Sequence, residues 1–334
     1  LPAYQPGPPL HGTIRSWGHG FLRPMMKLWE KGFQKYHPEV RFEDRLVTSA
    51  SAIAGLYTQR ADLGVLAREI TPPEVAAYEK MAGQKLTPVT VLTGSYGNQD
   101  KIMALGIFVN EANPVSQLTF AQLDAIWGAE HKRSAANIRT WDQLGLTGEW
   151  AGRVIHPYSG LAFEAPAYFF SQTVMQGSVL WNDNLRQFEN VEDEIPSHGN
   201  EKVPPKIARH ADAYQQVVDA VGADLAGIGL AGAGYRSAHA KLVALARTDG
   251  GPFVAATKEN VANLTYPLAR PVRFYINDGP VIPADPNVVE FLRYVLSQEG
   301  QRQVEREGDF LPLPPEVARE ELKKLPKLDP GARG

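Results

Sequence analysis

A chain of 334 residues is longer than one hydrophobic core usually serves, so two lobes are expected. Its 43% hydrophobic and 21% charged residues exclude a disordered chain, and 34 basic against 37 acidic side chains, net -3 and spread without runs, exclude a nucleic-acid stripe or a polybasic membrane surface. With no cysteine, disulfides, thiolate catalysis and cysteine-built metal centres are excluded, and no apolar run reaches the about 20 residues that span a bilayer.

The opening stretch, Leu1 to Pro9, is rich in Pro and Gly and reads as a tether left after a removed signal peptide or beyond a lipidated residue. Thr13 to Trp17 is a strand, followed by the turn Gly18-His19-Gly20-Phe21 and an amphipathic helix from Leu22 to Tyr36, with Met25, Leu28, Trp29 and Phe33 at helical spacing. His37-Pro38 stops that helix, and Val40 to Val47 alternates as a strand does. Thr48, Ser49 and Ser51 begin a second helix that runs to Gln59, and Asp62 to Leu66 is a short apolar strand. Thr71-Pro72-Pro73-Glu74 opens a third helix with an N-cap threonine and an early proline. This β-α-β-α-β order predicts a mostly parallel sheet with its crevice at the carboxyl ends of the strands.

Lys101 to Asn110 is read as a strand crossing into a second lobe. There Thr119 to Gln122 forms a capping box ahead of Leu123 and Trp127, and Val154-Ile155 is a brief strand before a turn Pro157-Tyr158-Ser159-Gly160. A helix from Leu161 to Thr173, an irregular loop Glu189 to Pro205, a helix Asp212 to Val221 and a strand Ala226 to Leu230 follow. Pro271 to Asn277 is the strand that returns to the first lobe, with helices near Asn287 to Ser297 and Gly300 to Glu307 behind it. The tail from Lys327 is polar and reads as disordered. The division expected is 1–103 with 269–334 as lobe one and 104–268 as lobe two.

Three small turns each follow a strand and open a helix: Gly18-His19-Gly20-Phe21, Thr48-Ser49-Ala50-Ser51 and Tyr158-Ser159-Gly160. Free N–H groups at a helix start, with hydroxyls beside them, favour an anion. Serine and glycine also cap helices with no ligand present, so one such turn says little and their recurrence says more.

These residues carry a resemblance. Gly18 to Tyr36, Ser49-Ala50-Ser51 and the run from Ala61 to Glu69 look like the first lobe of the phosphate ABC transporter substrate-binding proteins, type II periplasmic solute-binding proteins. Leu118 to Trp127, Trp141-Asp142, Ser159-Gly160, Ala226 to Gly229 and the endings Glu299 to Gln301 and Gly308 to Pro314 extend it over most of the chain. The resemblance implies two α/β lobes joined by two crossing strands, with an oxyanion, phosphate first, held between them and passed to a membrane ABC permease. It implies Phe21 as a backbone donor, Ser49 as hydroxyl and backbone donor, and Ser159 with Gly160 as the second lobe's turn; Gly20 and Ser51 belong to the same turns. It also implies a monomeric periplasmic or extracellular protein, with no cofactor and no enzymatic role.

The sequence departs from that pattern at four positions. The family's threonine before the phenylalanine is Gly20, its acid or serine at the end of the third strand is Ala67, its arginine before the serine falls on Ile155, and its threonine after Ser-Gly is Leu161. Arg68 is the natural replacement charge, with an ion pair to Glu69 or Glu43 as the alternative. His19 and His156 sit in the turns and could meet an anion or serve packing. No histidine spacing suits a metal. A triad of Ser159, His156 and Asp142 would place the base three residues from its nucleophile on one turn, a poor geometry. The departures leave open a second reading, a sensor or interaction module of the same fold that takes an organic phosphoester or a non-anionic solute.

Overall fold

The structure, a computed structural model, describes residues 1–98, 101–133, 136–195 and 206–326. In chain order its main elements are β1 (Gly12–His19), α1 (Arg23–Phe33), β2 (Val40–Val47), α2 (Ala50–Tyr57), β3 (Leu63–Val65), α3 (Pro72–Ala82), β4 (Thr87–Ser95), β5 (Leu105–Asn110), β6 (Gln117–Thr119) and α4 (Phe120–Trp127). There follow β7 (His156–Ser159), α5 (Ala165–Thr173), β8 (Arg186–Gln187), β9 (Val191–Ile195), β10 (Lys206–Ala211), α6 (Ala213–Ala223), β11 (Gly227–Gly232), β12 (Ala240–Leu242), β13 (Ala244–Ala246) and α7 (Lys258–Ala262). The chain closes with β14 (Pro271–Ile276), α8 (Pro286–Val295), α9 (Gln298–Glu307), β15 (Phe310–Leu311) and α10 (Pro315–Lys324). Two compact units result. One holds Leu1–Ser95, a short piece ending at Ile102, and everything described from Arg270 on; the other holds a short piece starting at Tyr96 and Met103–Ala269.

The first unit is built on a six-stranded sheet in the order β15-β4-β14-β3-β1-β2. Strands β2, β1 and β3 are parallel, whereas β14 runs antiparallel to β3 and β4, and β15 antiparallel to β4. The sheet is therefore mixed, a correction to the mostly parallel expectation: half of it comes from β4 and from the returning end of the chain, outside the β-α alternation. The apolar residues of α1, Met25, Met26, Trp29 and Phe33, pack with Phe291, Leu292 and Val304 of α8 and α9 on one face. Helices α2 and α3 bury Ala52, Ile53, Leu56 and Tyr78 in a separate cluster with Tyr275. After β1 the chain thus turns to one face, and after β2 to the other. That reversal beside the central strand leaves a crevice at the carboxyl end of β1.

Thr71 caps α3 in a capping box with Glu74, as its sequence predicts, and Thr119 does the same for α4 with Gln122. The opening segment departs from the tether reading. Tyr4 is buried, its hydroxyl donates to Glu290 Oε1 at 2.7 Å, its N–H donates to Glu299 at 2.6 Å, and Pro2 O accepts from Gln298 N. An aromatic ring among Tyr36, His37 and Tyr294 holds this stretch against the unit.

The second unit has a five-stranded sheet, β12-β5-β11-β7-β8, with two-stranded pairs β13-β6 and β10-β9. Here β7 and β11 are parallel and β5 antiparallel to β11. Two readings are corrected. The strand after Val154 is His156–Ser159, so Pro157, Tyr158 and Ser159 lie in β7 rather than in a turn. His156 N faces β11, donating to Ala226 O, so the missing N–H of Pro157 falls on the β8 side, where pairing begins only at Tyr158. The stretch read as an irregular loop from Glu189 includes strand β9, which pairs with β10, while 196–205 lie outside the described residues, as does the tail from 327. The strand expected from Lys101 begins at Leu105 and lies in the second unit.

Candidate functional site

In the first unit the ends of three parallel strands come together. His19 ends β1 in register with Val47, the last residue of β2, and Gly18 pairs with Val65 of β3. Gly18 is dictated by this approach, since a Cβ there would lie 1.8 Å from Val65 O. The turn's glycine content is thus partly a strand-packing requirement. Gly20 has room for a side chain, its nearest neighbour being Leu46 O at 3.4 Å.

Ser49 stands at the start of α2 with helical backbone and makes no capping bond of its own. Its Oγ instead accepts the N–H of Ala67 at 3.0 Å, tying the end of β3 to the start of α2. Ser49 is buried, and its O–H has no acceptor among the described residues, so the hydroxyl can accept from Ala67 and donate elsewhere at once. Ser51 Oγ donates to Thr48 O, which spends that hydroxyl within the turn. Phe21 N–H, expected to face an anion, donates to His19 Nδ1 at 3.2 Å. That bond keeps His19 Nδ1 bare and its proton on Nε2. Burial lowers the His19 pKa, and the nearby charge of Arg68 lowers it further, so this ring is a neutral donor rather than a cation.

Arg68 leaves β3 and forks onto Glu74, at 2.8 Å through Nη1 and 2.7 Å through Nη2. Its ion-pair partner is neither Glu69 nor Glu43, although Nη1 also donates to the Glu69 backbone carbonyl at 2.9 Å: Glu74 is already aimed there by the α3 capping box, while the Glu69 carboxylate is taken by Arg270 at 2.8 and 3.1 Å. Burial resists ionisation of Glu74, yet hydrogen bonds from Arg68 and Thr71 outweigh it and hold its pKa below the ordinary value. Arg270, 2% exposed at the start of β14, is a buried cation that no local pattern in the sequence announces.

In the second unit Ser159 ends β7 and Gly160 follows it. Ser159 Oγ donates to Gly160 O at 2.6 Å, so this hydroxyl is spent locally. Gly160 is required by Tyr214, whose ring would lie 2.9 Å from an added Cβ, and Tyr214 OH donates to Glu164 Oε2 at 3.0 Å. Burial raises the Glu164 pKa above the usual carboxylate value. The sequence reading missed Tyr214 and Glu164; an aromatic near the start of α6 carried no signal that it would reach the turn.

His156 does not join this turn. It begins β7, three residues or about 10 Å along the strand from Ser159. Its side chain points to the same face as Tyr158, where both bond Asp224 Oδ2, at 2.7 and 2.9 Å. Burial raises the Asp224 pKa, but bonds from His156 and Tyr158 win and lower it overall. The Ser159, His156 and Asp142 set is not assembled: Asp142 Oδ1 accepts from Gly152 N, and each group has its own separate partner. No group of three metal-ligating side chains occurs among the described residues.

A family model described as a PBP superfamily domain matches residues 3–299. The phosphate-binding protein PstS of Pseudomonas aeruginosa is 32% identical over 327 residues, covering 97% of this chain and 90% of that protein. Among solved structures, PstS from Borrelia burgdorferi superposes with TM-score 0.60 at 15% identity, covering 91% of this chain and all of that one. An ABC-type phosphate transport receptor from Vibrio cholerae gives 0.56 at 19% identity over 89% of this chain and 99% of its own. These structures share the two-lobed α/β fold. The chain belongs to the PBP superfamily, among the relatives of the phosphate-binding protein PstS.

Proposed function

We propose that this protein captures phosphate outside the cytoplasm and delivers it to a membrane ABC importer. The observation that carries the reading is its 32% identity to a phosphate-binding protein over 97% of the chain. The chemistry at the strand ends of the first unit agrees with it: the Ser49 hydroxyl can donate, neutral His19 offers Nε2–H, and two helices start beside them. In this reading Ser49 and its turn contribute to holding the anion. Among the described residues no helix is long and apolar enough to cross a membrane.

The pairing of Arg68 with Glu74 favours a second reading, in which the same fold senses a different small ligand, because it neutralises the charge expected to meet an anion. Calorimetric titration with phosphate, sulfate, arsenate, molybdate and small phosphoesters separates the two. Phosphate is expected to bind in the micromolar range or tighter, about -8 kcal/mol. If no oxyanion binds more tightly than about 1 mM, near -4 kcal/mol, the transport reading fails.

A further inference from the structure

We infer that the outer edge of the first unit's sheet is the docking surface for an acidic protein segment, and, resting on the reading above, that this segment belongs to the membrane partner. Strand β2 is the last strand of its sheet, and Arg41, Glu43, Arg45 and Val47 are exposed along one face of it. By register they lie beside Thr13, Arg15, Trp17 and His19 of β1. Helix α2 covers this face over β1, with Gly55 against the Trp17 ring, and the stripe on β2 lies beyond it. A groove of about 400 Å³ opens there, lined by Arg15, Trp17, Glu43, Arg45 and Arg60.

The charges in this groove are unevenly spent. Arg15 is bound to Asp62 through Nε and Nη2. The Arg45 guanidinium stacks on half-buried Trp17, 5.3 Å from the ring centre, and neither it nor the guanidinium of exposed Arg60 has a hydrogen-bond or ion-pair partner among the described residues. A planar arginine held over an indole is pre-organised to take a carboxylate through both nitrogens, and tryptophan with arginine is the composition of interface hot spots. On a chain of net charge -3, this local excess of cations complements an acidic surface. Glu43 between the arginines argues against a continuous polyphosphate, and the lone exposed valine of the stripe against insertion into lipid.

The test uses Arg45→Glu with Arg60→Glu, both at exposed positions, beside Arg45→Lys with Arg60→Lys. Each full chain is titrated against the importer's membrane component in phosphatidylcholine nanodiscs, and separately with phosphate. The charge-reversed protein should bind the membrane component at least about tenfold more weakly, the lysine variant should fall between, and phosphate affinity should be unchanged. A smaller loss, or an equal loss of phosphate binding, overturns the assignment. So does a parent that binds phosphate but not the membrane component, or one whose Arg45- and Arg60-dependent binding is to phosphatidylglycerol vesicles. Failure to bind phosphate at all would strike the transport reading instead.

Discussion

Ser49→Ala removes one oxygen that has two tasks. The Ser49 hydroxyl accepts the Ala67 N–H at 3.0 Å in a setting where both residues are buried, so the variant strands a buried donor. A stranded donor costs about 1–3 kcal/mol, which at about 2–4 °C per kcal/mol lowers the melting temperature of the chain by several degrees. The same hydroxyl has its proton available, and a hydrogen bond to a charged ligand is worth about 1.5–3 kcal/mol, so phosphate affinity should fall about tenfold to a hundredfold. Ser49→Thr keeps the oxygen and should keep most of both quantities. Scanning calorimetry and titration of the three proteins read the two effects separately. A variant that melts like the parent would refute the bond to Ala67, and one with unchanged affinity would refute the place of Ser49 in the anion site.

Three further outcomes follow from the packing and charges described. Arg68→Ala should raise the titration point of His19 followed by NMR, because the arginine's charge helps to hold it down, and the parent value should lie below the ordinary 6.5; a parent value above it contradicts the buried, Phe21-bonded ring. Gly18→Ala should destabilise the first unit by several kcal/mol in urea unfolding, since a methyl cannot occupy 1.8 Å from Val65 O, and a cost under about 1 kcal/mol would mean that β1 and β3 do not meet there. Glu30, buried beside Asp44 and with its pKa pushed up to about 7, contributes stability that is full below its ordinary value of 4.5 and is lost as pH rises through 7. Urea unfolding should therefore show the parent losing stability from pH 5 to pH 8 through this group, and Glu30→Gln, which stays neutral, should flatten that slope.

The first unit's core was legible because its elements announce themselves locally. The helical spacing of Met25, Trp29 and Phe33, the alternation of β2 and the cap at Thr71 all appear where the residues placed them, as does the cap at Thr119 in the second unit. Strand β4 has the β-branched residues of a strand but no place in the β-α rhythm, its partners β14 and β15 arriving some 180 and 220 residues later. At the site, residue types marked turns where strands end beside helix starts, yet the use of each polar atom depends on the neighbour that folding brings to it. Ser159 spends its proton on Gly160 and Arg68 spends its charge on Glu74, while His156 faces Asp224, 68 residues away. The last pairing is set by tertiary packing and leaves no periodicity or cap to read.

The central claim is that phosphate is held by the strand-end turns, and backbone amide shifts on phosphate addition test it most directly. The amides of Ser49 and Ala50 should move together with that of Ala67 and saturate at one phosphate per chain, while those around His156 and Asp224 stay still. Shifts confined to the His156 and Asp224 end of β7, or none at saturating phosphate, would contradict the account.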